Sequence, residues 1–204
     1  MTIRLHRGDL PDLSRYQSSV AIDTETLGLN PHRDRLCVVQ LSPGDGTADV
    51  VQIAPGQTTA PNLVRLLTDP SVVKIFHFAR FDVAVLAKTF GVTVAPVYCT
   101  KIASRLTRTY TDRHGLKDLV KELLDVDLSK QQQSSDWAAE TLTDAQLSYA
   151  ASDVLHLHAL KNRLDERLAR EGRIGLAASC FRFLPTRAAL DLAGWAEEDI
   201  FAHS

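Results

Sequence analysis

The order in which strand-like and helix-like segments follow one another limits this chain to few folds. Five apolar runs of strand length lie in its first half, at 19–25, 36–42, 48–53, 72–76 and 94–98. Turn residues at 43–46 separate the second and third runs closely enough for a hairpin. Apolar residues recur at helical spacing in 61–68 and 80–90, and throughout the chain from Lys101 onward. The pattern predicts an α/β fold with a mixed five-stranded sheet flanked by helices.

The helical second half contains two long predicted helices. Thr143 and Gln146 form a capping-box pair that predicts the start of a helix over 144–170. A last helix is predicted over about 176–193. A single domain over 1–204 is expected, because 204 residues with 45% hydrophobic and 24% charged content suffice for one hydrophobic core.

Composition also bears on location. Apolar runs fall short of the ~18–20 residues that a membrane span needs, and the first residues lack the apolar segment of a signal peptide. Cys37, Cys99 and Cys180 are far apart and show no CxxC spacing, which favours free thiols over disulfides or a zinc site. A cytoplasmic protein without membrane partners is expected.

The charge balance bears on nucleic-acid binding. The net charge is −2, whereas proteins that grip long nucleic acids through phosphates are usually basic. Basic residues nevertheless concentrate in one segment, opposed only by Asp112 and Asp118: Lys101, Arg105, Arg108, Arg113, Lys117 and Lys121. Two interpretations stay open for this segment, a solvated helix face and a surface that faces phosphates.

Four acids and a tyrosine occupy positions from which they could meet. Asp23 and Glu25 project from one face of the first predicted strand, and such a buried ionised pair needs compensation, for which a divalent metal is suited. Asp82 falls in the first turn of a predicted helix, and Tyr149 and Asp153 share one helix face. Each element alone also fits a structural role: a solvated strand end, a helix-dipole acid or a surface acid.

Together the elements read DxE, then HxxxxD, then YxxxD, and they resemble the exonuclease motifs of the DEDD superfamily. The tyrosine matches the DEDDy branch of RNase D-like proteins. Further similar segments are KIFHFARFD, CTKIASRL, HGLKDLVKELL and SKQQQSSDW. The resemblance covers roughly residues 15–170, leaving a C-terminal helix and tail over 171–204. It implies an RNase H-like (DnaQ/DEDD exonuclease) fold and a 3′→5′ exonuclease.

The resemblance also implies a set of site residues. Two divalent ions, Mg²⁺ or Mn²⁺, would be held by Asp23, Glu25, Asp82 and Asp153. Tyr149 would position the attacking water, and nucleoside 5′-monophosphates would be released. The implied substrate contacts are Thr24, Leu29, His77 and Phe81. His77 could instead be structural, and Leu29 could be a core residue rather than a wedge between the terminal bases, brought over the site by a turn at Gly28.

Two departures from the RNase D pattern bear on the substrate. Many RNase D-like proteins have an Arg-Pro pair shortly after the tryptophan that corresponds to Trp137, whereas residues 138–142 read AAETL. The C-terminal helical domains of full-length RNase D are also expected to be missing.

The length and the ending GWAEEDIFAHS resemble the NrnC-type nanoRNases. This likeness implies a preference for dinucleotides, including the linear product of cyclic di-GMP breakdown, and an octameric ring in which the apolar tail contributes to subunit contacts. One alternative is an RNase D-like enzyme that trims longer RNA or DNA, which would need a continuous basic groove. A non-catalytic RNA-binding module fits less well, because four clustered carboxylates repel phosphate.

Overall fold

A computed structural model describes residues 2–129 and 135–203, and within this part of the chain six strands form a mixed sheet. The strands are β1 Thr2–Arg7, β2 Ser19–Thr26, β3 Leu36–Ser42, β4 Thr47–Gln52, β5 Val73–Phe76 and β6 Val97–Cys99. Their order is β1-β4-β3-β2-β5-β6. Strand β3 is antiparallel to β2 and β4, and the other neighbours are parallel. The predicted α/β class is therefore confirmed.

The strand count differs from the expected five because β1 has no apolar run. In its sequence, TIRLHR, basic residues alternate with apolar ones, and most of the strand is exposed at the edge of the sheet. Pairing with β4 stabilises it. The buried Asp49 of β4 also accepts hydrogen bonds from Tyr16 (2.6 Å) and Arg15 (2.5 Å), which tie down the segment that follows β1.

Seven α-helices and one short π-helical turn surround the sheet within the described residues. The helices are α1 Pro61–Thr68, α2 Ala79–Phe90, α3 Thr100–Thr107, α4 Leu116–Leu124, α5 Asp144–Leu155, α6 Leu157–Arg170 and α7 Ile174–Leu190, and the turn is Asp191–Trp195. None of the described helices is both long and apolar enough to span a membrane.

The helix predicted over 144–170 is interrupted at His156. The capping box at its start is confirmed, because the Thr143 side chain accepts from the backbone N–H of Gln146, and the Gln146 side chain accepts from that of Thr143. Helix α5 packs on β2, β3 and β4, whereas α6 packs on α3 and α4. The two halves of the predicted helix thus pack on different neighbours.

The central strand β3 lies between two helical layers, with α5 on one side and α2 on the other. All seven of its residues are buried, including the polar Gln40 and Ser42. A buried polar side chain needs hydrogen-bond partners. The partner of Gln40 proves to be one of the four predicted carboxylates.

The C-terminal segment is fastened to α2 by a buried carboxylate. Asp191 accepts from Arg80 at 2.6 and 2.7 Å and from Arg187 at 2.7 and 3.0 Å. Burial works to raise the pKa of Asp191, but these guanidinium groups outweigh it and hold that pKa below its usual range. Farther along, the ring of Phe201 lies 5.8 Å from that of Phe183, yet Phe201 stays 76% exposed. The tail therefore contacts the body of the protein and still presents apolar surface.

Candidate active site

Four carboxylates converge where the end of β2 meets α2 and α5. Carboxylate oxygens of Asp23, Glu25 and Asp153 lie within 4.8 Å of one another. Strand alternation places the first two on one face of β2, and α5 crosses that face and carries the third. The sequence therefore predicted correctly that these side chains meet.

The fourth carboxylate reaches the site because the sheet opens beside β2. Strand β5 pairs with β2 only along 19–21, which leaves the edge of β2 beyond Ala21 free to meet the first turn of α2. There the Thr24 hydroxyl donates to Oδ1 of Asp82 at 2.7 Å. Asp82 is near enough to the other acids to raise the pKa values of Asp23 and Glu25.

The four carboxyl groups are all harder to ionise than free ones. Burial is the largest cause for each, and repulsion from the other acids adds to it for Asp23, Glu25 and Asp82. The pKa of Asp23 lies well above its usual range, that of Glu25 is raised to about 9, and those of Asp82 and Asp153 are raised to about 7. Within 2–129 and 135–203, none of the four forms an ion pair with a basic side chain. The charge of the cluster is thus left uncompensated.

The donor set fits a hard divalent cation. Oxygen ligands of such an ion lie roughly 2.0–2.6 Å from it, so two that share an ion are at most about 5 Å apart, as the clustered oxygens are. The cluster offers carboxylate oxygens rather than thiolate or imidazole, which suits Mg²⁺ or Mn²⁺ better than Zn²⁺.

Tyr149 stands one helical turn before Asp153, and its hydroxyl lowers the pKa of that carboxyl against the larger effect of burial. Burial raises the pKa of the Tyr149 hydroxyl, and Asp153, Glu25 and Asp23 raise it further. The hydroxyl therefore stays protonated at neutral pH and acts as a donor. Its ring centroid lies 6.0 Å from that of Trp137, which is 3% exposed and packs in the same apolar cluster.

The segment around Trp137, which lacks the Arg-Pro pair, is held by hydrogen bonds to its backbone carbonyls. Gln52 of β4 donates to the carbonyl of Ala139 at 2.7 Å, and Gln146 of α5 donates to that of Asp136 at 3.0 Å. These contacts hold the segment against β4 and α5 without requiring any particular side chain from residues 138–142. Much of the preceding SKQQQSSDW similarity, at 130–134, lies outside the described residues.

The four predicted substrate contacts differ in their surroundings. Leu29 is 86% exposed, which excludes a core role. The turn before it suits a glycine at position 28, because a Cβ there would lie 2.4 Å from Oδ2 of Asp34. Thr24 is buried against Asp82, as described above. Phe81 is half-buried and packs against the hydrophobic core.

His77 is nearly enclosed. Its Nδ1 lies 2.9 Å from the hydroxyl of Thr100. Burial, assisted by the charge of Lys101, lowers the pKa of His77 to about 3, so the ring is neutral at neutral pH. It cannot offer a positive charge to a phosphate, and the surroundings favour the structural interpretation.

Half of the basic residues in the segment 101–121 are paired with acids. Arg108 is buried and forms an ion pair with Glu122, Arg113 pairs with Asp118, and Lys121 pairs with Asp125 and Asp127. In the described part of the chain, Lys101, Arg105 and Lys117 have no such partner. The structure thus encloses Arg108 and favours the solvated-face interpretation for Arg113 and Lys121. Lys101, Arg105 and Lys117 remain the candidates to face phosphate.

Gln40 is a contact of the site that motif reasoning missed. Its Nε2 donates to Oδ2 of Asp23 at 3.0 Å. The available signal was a glutamine inside an otherwise apolar strand, LCVVQLS, where burial demands a partner.

The chain is similar to known exonucleases and ribonucleases. Residues 10–169 match a family described as 3′-5′ exonuclease. Among curated proteins, the chain is 40% identical to ribonuclease D of Gluconacetobacter diazotrophicus over 81% of this chain and 42% of that protein. It is 36% identical to ribonuclease D of Granulibacter bethesdensis over 78% and 40%, respectively. The chain spans about two fifths of the length of these curated relatives.

Two solved structures of Brucella melitensis NrnC match over the whole length of both chains. NrnC with bound Mg²⁺ is 70% identical with a TM-score of 0.97, and NrnC bound to pGG is 71% identical with a TM-score of 0.98. Escherichia coli RNase D, an exoribonuclease, is 27% identical over 85% of this chain and 46% of that chain, with a TM-score of 0.75.

Proposed function

We propose a function from the premise that this chain belongs to the 3′-5′ exonuclease family. The protein hydrolyses short RNAs from the 3′ end in the presence of two divalent ions, and it releases nucleoside 5′-monophosphates. The observation that carries this proposal is the convergence of four carboxylates, one buried and three partly buried, whose charge is not compensated by any described basic side chain. Such a site is costly for folding, and cation binding would offset that cost.

Asp23, Glu25, Asp82 and Asp153 are the residues that would hold the ions. Bound divalent ions supply Lewis-acid stabilisation of the charge that develops on the phosphodiester, and they activate water for attack. The protein's own contribution is positional. Thr24 restrains Asp82, and Tyr149 stands one helical turn before Asp153, from where its hydroxyl would orient the attacking water.

Tyr149→Phe is expected to lower kcat about 100-fold, with little change in KM. The variant keeps the ring that packs near Trp137 but loses the hydroxyl that orients water, and positioned proton donors contribute on this scale. Steady-state cleavage of a dinucleotide at saturating Mn²⁺ measures the effect. Tyr110→Phe is the matched control, because its hydroxyl also bonds to a carboxylate, Glu122, outside the cluster. A Tyr149→Phe enzyme that retains half of its activity would exclude this role.

The proposed preference for very short RNA rests on two features. The chain matches NrnC over its whole length, and NrnC has been solved with the dinucleotide pGG. Ion pairing within the basic segment also leaves few cations for a long phosphate backbone. We therefore propose dinucleotides such as pGpG as the preferred substrates.

Labelled RNAs of two, three, five and twenty nucleotides, incubated with Mn²⁺ or Mg²⁺, test this preference. Rapid cleavage of the dimer with slow cleavage of the longest RNA is expected. Equal or faster shortening of the longest RNA would favour the second candidate, an RNase D-like trimming exonuclease, to which the curated relatives point. The Asp153→Ala variant shows whether the cleavage belongs to this site.

We further propose that the chain self-associates in the cytoplasm, as an octamer if it follows the NrnC-type resemblance. Exposed apolar side chains near the C-terminus support an interface between copies: Ile174, Leu176, Trp195, Ile200 and Phe201. The free thiols of Cys37, Cys99 and Cys180 support a reducing compartment.

A further inference from the structure

Gln40 faces Asp23 across the pairing of β3 with β2. The two residues are directly opposite in the antiparallel register, and Gln40 is completely buried. Its Nε2 donates to Oδ2 of Asp23 at 3.0 Å. A carboxylate that binds a cation is ionised and only accepts hydrogen bonds, so in the cation-bound protein this contact requires the nitrogen of the amide, and not its oxygen, to face Asp23.

The other end of the same amide is unsatisfied. Among the residues that the structure describes, Oε1 of Gln40 has no hydrogen-bond partner although it is buried. An unpaired buried acceptor destabilises a fold, and an apolar side chain such as those of Val38 and Val39 would avoid this cost. Folding alone therefore does not account for a glutamine here, whereas its contact with Asp23 does.

The amide of Gln40 that donates to Asp23 carries no charge, and this affects how the carboxylate could bind a cation. Lysine or arginine beside Asp23 would restrain the carboxylate but would also neutralise it and compete with a cation. Gln40 restrains the carboxylate and leaves its charge in place. Thr24 contacts Asp82 in the same way, with a neutral hydroxyl. Two of the four carboxylates thus have one oxygen held by an uncharged side chain of the sheet.

We propose that Gln40 is a positioning residue that holds the Asp23 carboxylate for a divalent cation, and that it contributes to cation affinity rather than to folding. The inference rests on the proposed function, because it requires a cation at the carboxylate cluster. Side chains that orient metal ligands typically change affinity by about 10–100-fold when they are removed.

The full chain carrying Gln40→Met tests the proposal. Methionine has a similar shape but cannot donate to Asp23. Titration with Mn²⁺, followed by the electron paramagnetic resonance of the free ion, is expected to show about tenfold weaker binding than in the wild type. In cleavage assays, the Mn²⁺ concentration for half-maximal rate should rise by a similar factor, and kcat at saturating Mn²⁺ should recover.

Gln52→Met is the matched control. Gln52 also donates through Nε2, to the backbone of Ala139, and also has a buried Oε1 without a partner among the described residues. Its substitution should leave Mn²⁺ affinity unchanged, and both metal-free variants should have similar Tm values. As a second variant, Gln40→Asn keeps the amide but withdraws it from Asp23, and it should also weaken Mn²⁺ binding.

Three outcomes would overturn the inference. Gln40→Met or Gln40→Asn could bind Mn²⁺ as tightly as the wild type. Gln52→Met could weaken binding by the same factor as Gln40→Met. Gln40→Met could fail to fold without metal where Gln52→Met folds, which would make Gln40 a folding residue. A wild-type chain that binds no Mn²⁺ would overturn the metal site of the proposed function as well, so the two failures are distinguishable.

Discussion

Asp153→Asn is expected to lower kcat for RNA cleavage at least about 1000-fold, which corresponds to about 4 kcal/mol of transition-state stabilisation. Asparagine matches the size of aspartate but carries no charge. The substitution therefore removes the charge of one of the four carboxylates of the site while preserving packing on α5. Dinucleotide cleavage at saturating Mn²⁺ measures the loss.

The same substitution is expected to stabilise the metal-free protein by about 1 kcal/mol. Burial raises the pKa of Asp153 to about 7, so its ionised form is disfavoured in the folded chain, and a neutral amide relieves this. Thermal unfolding in EDTA measures the change.

Asp144→Asn is the matched control for both measurements. Asp144 is exposed in the first turn of the same helix, so its substitution should leave activity unchanged and should lower stability slightly, in the opposite sense to Asp153→Asn. An Asp153→Asn chain that lost stability together with activity would point to misfolding and contradict the prediction.

The metal-free protein is expected to lose stability as the pH rises from about 6.5 to 8. The pKa of Glu25 is raised to about 9 from an ordinary 4.5, and that of Asp23 is also raised well above its usual range. In this window the folded chain retains protons that the unfolded chain has released, so stability falls with rising pH, by about 1.4 kcal/mol per pH unit for each such proton. Each proton that stays bound across the whole window thus accounts for about 2 kcal/mol, and a loss of at least this size is expected.

Two other buried groups set the limits of this window. Burial lowers the pKa of His77 to about 3, so its contribution to stability rises with pH up to about 6.5, the ordinary pKa of histidine. Burial likewise lowers the pKa of Lys74 to about 8, and its contribution to stability rises with pH above that value. Between 6.5 and 8 the acids of the site dominate.

Divalent metal is expected to reverse this trend. Cation binding displaces the retained protons, so its stabilising effect grows with pH. Mn²⁺ at a hundred times its Kd adds about 2.7 kcal/mol, which raises Tm by about 5–10 °C for a chain of this size. Thermal unfolding with Mn²⁺ or with EDTA at pH 6.5, 7.2 and 8 measures both effects. A Tm in EDTA that rises with pH, or that Mn²⁺ leaves unchanged, would contradict the carboxylate-cluster interpretation.

Local spacing made the acids of the site predictable. Residues two apart on a strand share a face, and residues four apart on a helix do so as well, so Asp23 with Glu25 and Tyr149 with Asp153 could be paired without coordinates. The capping box at Thr143 was predictable for the same reason, since both partners lie within one helical turn. Each of these relations depends only on backbone geometry over a few residues.

Elements without a strong local pattern were not predictable. Strand β1 carries alternating basic residues and is a strand because β4 supplies its hydrogen bonds. The break at His156 exists because α5 and α6 pack on different neighbours. In both cases the deciding partner is remote in sequence, so no local window contains the signal.

The charge states and the support of the site were likewise decided by tertiary structure. His77 is neutral because the fold encloses it, and Arg108 is unavailable to phosphate because Glu122 pairs with it. Gln40 reaches Asp23 only because β3 pairs with β2 in one particular register. The sequence by itself determined which residues were candidates for the site and on which faces they stand, because backbone periodicity is local. The sheet order and burial decided which side chains restrain them and which remain charged, because those depend on contacts between distant segments.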